Sequence, residues 1–240
     1  MKTSYLLVLI FILSSCLKRN ETLINQTCID SCMTFNVQVR RGEKSSTPVE
    51  NADVELSWSS PGNSSPFGDP GRLIGSGKTN KLGTIKFSFK ALRKELNGGR
   101  YSVDIKNNSD GFQPYINYFL ITRFDSTVNA NLHLPTKAFL KIIYKNFRPQ
   151  NNEGFFQASP FYKNYGTSNL NIKLSNINGG LPNTSFFGNE GFDKVELAGI
   201  TAGNQYTYFN IIRRKNGVRK DLLDSIYLST GETKTYEIEY

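Results

Sequence analysis

Histidine occurs once in this chain of 240 residues, tryptophan once and cysteine three times, and no apolar run is long enough to span a bilayer. Each shortage removes a class of function. Nucleophilic catalysis needs a base within hydrogen-bond reach of the nucleophile, so imidazole chemistry has only His133 to work with. That residue stands between Leu132 and Leu134 in an extended run and reads as a strand histidine with a solvent or backbone partner. One histidine without a second cysteine pair provides no zinc ligand set, and the regularly spaced acids of a calcium loop are missing. Gly75-Ser76-Gly77-Lys78-Thr79 lacks the loop length and following helix of a phosphate cradle, and reads as a turn. Carboxylates are scattered, with no pairing that sequence spacing can show. The expectation is a protein that is not an enzyme and needs no metal or cofactor.

The longest apolar run, Tyr5 to Leu13, has nine residues and follows a single positive charge at Lys2. A spanning helix needs about 20 apolar residues; a short run ending in small residues is the layout of a signal peptide. Leu13-Ser14-Ser15-Cys16 resembles the lipobox of bacterial lipoproteins, which implies cleavage before Cys16 and acylation of its thiol. Two or three acyl chains, at about 0.8 kcal/mol per buried methylene, hold a protein stably at a membrane. Residues 1–15 are then signal, and residues 16–32 a lipidated cysteine and polar tether. Cys28 and Cys32 remain in a compartment that permits disulfides. In a strand their Cα atoms would stand about 13 Å apart, so a bond between them requires a bend.

Removing residues 1–15 leaves 28 basic and 20 acidic side chains, a net charge of +8. Outside the inner membrane the anions at hand are lipid phosphates, acidic glycans and acidic proteins, so no nucleic-acid partner is expected. Leu17-Lys18-Arg19 after the cysteine, in place of acidic residues, favours the periplasmic face of an outer membrane over the cell surface.

Beyond the tether, apolar residues alternate with polar ones in short stretches separated by turn residues. Phe35, Val37 and Val39 alternate, as do Val54, Leu56 and Trp58, then Ile85, Phe87 and Phe89, then Tyr101, Val103 and Ile105. A second series comprises Leu140, Ile142 and Tyr144; Leu170, Ile172 and Leu174; Val195 and Leu197; Phe209 and Ile211; and Tyr236, Ile238 and Tyr240. Only Ala91 to Leu96 suits a helical turn. Asn216-Gly217 suits a two-residue hairpin with positive φ at both positions. The expected fold is all-β, two tandem immunoglobulin-like or transthyretin-like β-sandwiches over residues 33–135 and 136–240.

Within the first of these, Pro48-Val49 leads to Ala52, Val54 and Leu56; Thr79-Asn80 precedes Gly83, Ile85 and Phe87; Gly99 precedes Tyr101 and Val103; Gly111-Phe112 follows. This order resembles the carboxypeptidase regulatory-like, or transthyretin-like, β-sandwich family common in Bacteroidetes-type envelope proteins. The resemblance implies structure and no catalytic residues. Asn80 stands where the family has aspartate, and either side chain caps a turn. Collagen-adhesin B-type relatives of the fold join a strand lysine to an asparagine, but Thr34 to Arg40 has no interior lysine and Glu237 to Tyr240 no asparagine, so no such cross-link is expected. The second sandwich resembles only generic immunoglobulin-like or fibronectin-like domains.

Two surface features stand out. Arg213, Arg214, Lys215, Arg219 and Lys220 flank Asn216-Gly217, so a hairpin tip concentrates five positive charges: either a solvated tip that discourages edge pairing or a contact for lipid headgroups or acidic glycan. Phe155, Phe156, Phe161, Tyr162 and Tyr165 lie in a stretch that is either core-filling strand or an exposed aromatic surface for a sugar or protein. The expected function is a non-catalytic, membrane-anchored interaction or scaffold module. The alternatives are a glycan-binding lipoprotein of a nutrient-uptake system and a pilus- or adhesin-type subunit whose edge strand pairs with another subunit.

Overall fold

The computed structural model describes residues 28–60, 71–96, 98–106, 112, 114–119, 121–149, 153–163, 173–174, 178–180 and 185–240. Almost every regular element is a strand. Seven strands form a first unit: β1 (Met33–Arg40), β2 (Asp53–Ser59), β3 (Arg72–Lys78), β4 (Thr84–Phe89), β5 (Arg100–Lys106), β6 (Tyr115–Phe119) and β7 (Thr127–His133), with one helical turn, α1 (Arg93–Leu96), between β4 and β5. The strands that follow are β8 (Thr136–Phe147), β9 (Phe155–Lys163), β10 (Lys173–Leu174), β11 (Asn178–Gly180), β12 (Phe186–Gly188), β13 (Phe192–Gly203), β14 (Gln205–Lys215), β15 (Val218–Leu228) and β16 (Thr233–Glu239).

Four sheets stack as two sandwiches. In the first, β4-β1-β7 faces β6-β5-β2-β3, with β1 antiparallel to β4 and parallel to β7. In the second, β13-β8-β16 faces β9-β14-β15, with β8 antiparallel to β13 and parallel to β16, while β12 and β11 both pair with β9. The two units share one strand plan. In each, the first strand is central, the last lies parallel beside it, and the second, fifth and sixth run side by side in the facing sheet once β10 and β11 are set aside. The second unit is therefore more than a generic sandwich: it repeats the connectivity of the first.

Alternation builds these strands, because successive side chains of an extended chain point to opposite faces. Phe35, Val37 and Val39 on β1 and Val54, Leu56 and Trp58 on β2 are buried, and their neighbours are not. Phe35 meets Phe89, Tyr101 and Tyr118 at ring separations of 6.2, 5.5 and 5.6 Å. In the second unit Phe156 meets Tyr144, Phe147, Phe186 and Tyr240, and Phe209 stacks on Tyr236 at 4.3 Å. Inward positions on the first strands are Phe35, Val37 and Val39, and Leu140, Ile142 and Tyr144; on the last strands they are Val128, Ala130 and Leu132, and Lys234, Tyr236 and Ile238.

Turn chemistry follows the same logic. Asn80 Oδ1 accepts the Leu82 and Thr84 amides at 2.9 and 3.1 Å and the Thr84 hydroxyl at 3.0 Å, and Gly83 follows at φ +69°. Gly99 adopts φ +75°, where a Cβ would fall 2.2 Å from the Ser59 carbonyl oxygen. At α1, Glu95 accepts the Leu92 amide, Arg72 Nε and Nη2 at 2.7 and 2.8 Å, and the Tyr101 hydroxyl at 3.1 Å. Burial, then the Glu95 charge, drives the Tyr101 phenol far above its ordinary range.

The expected turn at Gly75 to Thr79 is corrected: Gly75 to Lys78 belong to β3. The glycines serve packing, since a Cβ on Gly75 would stand 3.0 Å from the Phe87 ring and one on Gly77 2.8 Å from the end of Ile85. Of Leu170, Ile172 and Leu174, the first two lie outside the described residues, and Leu174 belongs to the two-residue β10, which pairs with β6 of the first unit.

Candidate functional site

His133 ends β7, only 5% exposed, and its ring bonds the backbone of Lys163 on β9 while Nδ1 has no hydrogen-bond partner. Burial lowers its pKa, and the Lys163 backbone and the Glu43 carboxylate only partly offset this. A ring walled off from solvent and tied to backbone is placed for packing between the two units. Around it, Glu43 accepts the Tyr208 hydroxyl at 3.0 and 2.9 Å and the Lys163 ammonium at 3.3 Å, and the Glu43 amide donates to Gln205 Oε1 at 3.3 Å. Phe112 meets Tyr162 edge-on at 5.6 Å across the same boundary. Cys28 and Cys32 form a disulfide with a Cα separation of 5.7 Å beside a bend at Asp30 and Ser31. Cys16 and Tyr165 lie outside the described residues. No group of three potential metal ligands stands together among the described residues, and no helix among them is long and apolar enough to cross a membrane.

The aromatic stretch divides by strand parity. Phe156 and Tyr162 point into the core, 0% and 9% exposed, so they form no part of a surface. Phe155 and Phe161 point outward from the same strand, half-buried. Phe161 stacks on its cross-strand partner Tyr208 at 5.5 Å, Tyr208 neighbours Tyr206, and Tyr206 meets Tyr227 on β15 at 5.4 Å. The outer face of β9-β14-β15 thus carries an aromatic row at one end. Tyr206, Tyr208 and Tyr227 join this row without any local sequence motif to mark them. The parity of Tyr206 and Tyr208, opposite to that of buried Phe209 and Ile211, is the signal that identifies them.

The basic tip divides in the same way. Asn216 and Gly217 adopt φ +48° and +77°, as a tight hairpin requires. The register then sets Lys215 against Val218, Arg214 against Arg219 and Arg213 against Lys220. Five charges do not gather on one surface, because the pleat sends Arg214 and Arg219 to the outer face and Arg213, Lys215 and Lys220 to the other. Lys215 donates to the Tyr240 carbonyl at 2.6 Å and lies over the Tyr240 ring.

What survives of both features meets at one place. Phe155, Gln157, Ile212, Arg214 and Arg219 line an open depression of about 250 Å³ on the outer face. Arg214 donates to the Glu153 carbonyl at 2.6 Å and its guanidinium lies 5.9 Å from the Phe155 ring centre. Arg219 donates to Asp221 at 2.8 Å, a pairing that raises its pKa further and keeps it charged. Phe187, 73% exposed, stands edge-on to Phe155 at 5.1 Å. Two guanidinium groups, one carboxamide and two rings can hold a planar anion beside an apolar or sugar-like face.

No protein-family model matches the chain, and no curated protein matches it. Among solved structures it is similar to a point mutant of the shaft pilin SpaA from Lactobacillus rhamnosus GG, at 11% identity over 87% of this chain and 97% of that one, with a TM-score of 0.29. It is also similar to a Streptococcal ancillary pilin, at 12% identity over 88% of this chain and 63% of that one, with a TM-score of 0.30. Both likenesses concern β-rich architecture and extend to nothing chemical.

Proposed function

We propose that this chain is a non-catalytic envelope lipoprotein, held through Cys16 at the periplasmic face of an outer membrane, whose sandwiches present a binding surface. The first sandwich is taken as carboxypeptidase regulatory-like. The observation that carries the binding reading is the depression between Arg214 and Arg219, cross-strand partners on the outer face of β9-β14-β15. Its chemistry fits a carboxylate- or phosphate-bearing partner in the envelope. An acidic glycan is favoured over a lipid surface by Phe155 and Phe187, whose rings offer a sugar a flat neighbour.

The test is retention of the protein on immobilised polygalacturonate against neutral dextran. Retention on the acidic polymer at low salt, falling as salt rises, and lost in R214A/R219A, is the expected result. Equal retention on dextran, or retention that ignores salt, would refute a charge-based site. The anchor is tested separately, since Cys16→Ala should move the protein to the soluble fraction.

A further inference from the structure

Every open sandwich has edge strands, and an exposed edge is a template for another chain unless something blocks it. In the first unit the outer edge of β6 is covered by β10, which is donated by the segment following β9. β15 is the counterpart of β6 in the shared strand plan. Among the described residues it pairs with β14 alone, and all eight residues from Val218 to Ser225 are exposed.

The core-side face of β15 reads Val218, Lys220, Leu222, Asp224, Ile226. That assignment follows from register, because Leu222 stands opposite buried Ile211 and Asp224 opposite buried Phe209. Although on the core side, Val218 and Leu222 are 62% and 46% exposed. Lys220 is placed against a like charge, Arg213 on β14, and makes no ion pair among the described residues. Like charges directly opposed in a sheet are destabilising, and an opposite charge in the same row is stabilising.

The order apolar, basic, apolar, acidic, apolar is its own complement when reversed. If a second β15 lies antiparallel with Leu222 at the centre, Leu222 meets Leu222, Lys220 meets Asp224 twice, and Val218 meets Ile226 twice. The Asp224 carboxylate accepts the Tyr236 hydroxyl through Oδ2 and the Ser225 amide through Oδ1 at 2.7 Å, and a carboxylate has about four acceptor sites, so an ammonium can still be received. On the outer face the same register opposes Asp221 to Leu223 and Arg219 to Ser225, so no like charges meet. A strand without an acid at the matching place would instead bury Lys220 unpaired. We propose that β15 is an isologous docking edge, on which a second copy of this chain adds its own β15 antiparallel about Leu222. The docking edge shares Arg219 with the rim of the anionic depression but does not depend on an anion being bound there.

Directly opposed residues of an antiparallel pair have Cβ atoms about 4.5–5.5 Å apart, close to disulfide reach. The full chain in mild detergent, carrying Leu222→Cys and mildly oxidised, should therefore form a covalent dimer well above the parent chain, whereas Ser225→Cys should not. Adding K220D makes both charged rows repulsive and should slow dimer formation by about tenfold. Adding D224K to that variant restores the pairing in swapped form and should recover the rate. A monomeric L222C chain, equal cross-linking of S225C, or a charge swap that fails to rescue despite an unchanged thermal midpoint would each overturn the proposal.

Discussion

At the scale of single residues, the informative positions are buried polar groups and how completely each is partnered. Glu95 shows the satisfied case, accepting from Arg72, Tyr101 and the Leu92 amide inside the first unit. His133 shows the other: its ring bonds only the Lys163 backbone, and it faces Glu43, Arg40 and the Lys163 side chain. Burial depresses its pKa, so the folded protein refuses a proton that the unfolded chain accepts near pH 6.5. The contribution to stability is then complete above that pH and is lost as pH falls through the depressed folded value. Urea unfolding midpoints should fall between pH 7.5 and 5.5. His133→Gln, whose carboxamide can still donate to the backbone, should flatten that decline; an unchanged slope would mean that His133 is not its source.

At the scale of elements, the pleat decides which side chains reach a surface. β9 is the clearest instance: the stretch from Phe155 to Lys163 alternates strictly between half-buried and buried, so neighbouring phenylalanines have opposite roles. Phe156→Ala should cost about 3–5 kcal/mol in a denaturant titration, as for other buried aromatic truncations. Phe155→Ala, at the rim of the depression, should change stability little while weakening retention on polygalacturonate. Similar losses of stability from the two variants would contradict the alternation. This division was partly legible beforehand. Asn216-Gly217 fixes a two-residue turn, and from that turn alone Arg214 falls opposite Arg219 and Arg213 opposite Lys220. Which side of the hairpin faces the core needed Phe209 and Ile211 as reference. β3 was not legible, because Gly75 and Gly77 signal a turn by composition while Phe87 and Ile85, which require them, lie on another strand.

At the scale of the whole molecule, the all-β class was legible in the alternating sets, but the common plan of the strands was hidden. Topological equivalence does not require equivalent side chains: the central strands MTFNVQVR and TKAFLKIIYKNF share little beyond alternation. Hidden too was the junction, since its members Gly42, Glu43, His133, Lys163, Gln205 and Tyr208 come from distant segments and carry no local pattern. Buried apolar residues of both units form one continuous cluster, and Phe112 and Tyr162 meet across the boundary. Gly42 is the tightest point, where a Cβ would come within 2.6 Å of the Asn204 carbonyl oxygen, a backbone atom with little freedom to withdraw. Gly42→Val must therefore displace one unit from the other, pulling Glu43 from Tyr208 and Lys163. The parent should unfold in a single calorimetric transition because its units share a core boundary. In Gly42→Val that transition should separate into two, or show a calorimetric enthalpy exceeding the van't Hoff value. Glu43→Ala, which removes the polar clamp and leaves the backbone approach intact, should lower the midpoint and keep one transition. If Gly42→Val unfolds as the parent does, the contact at Asn204 does not hold the two sandwiches together.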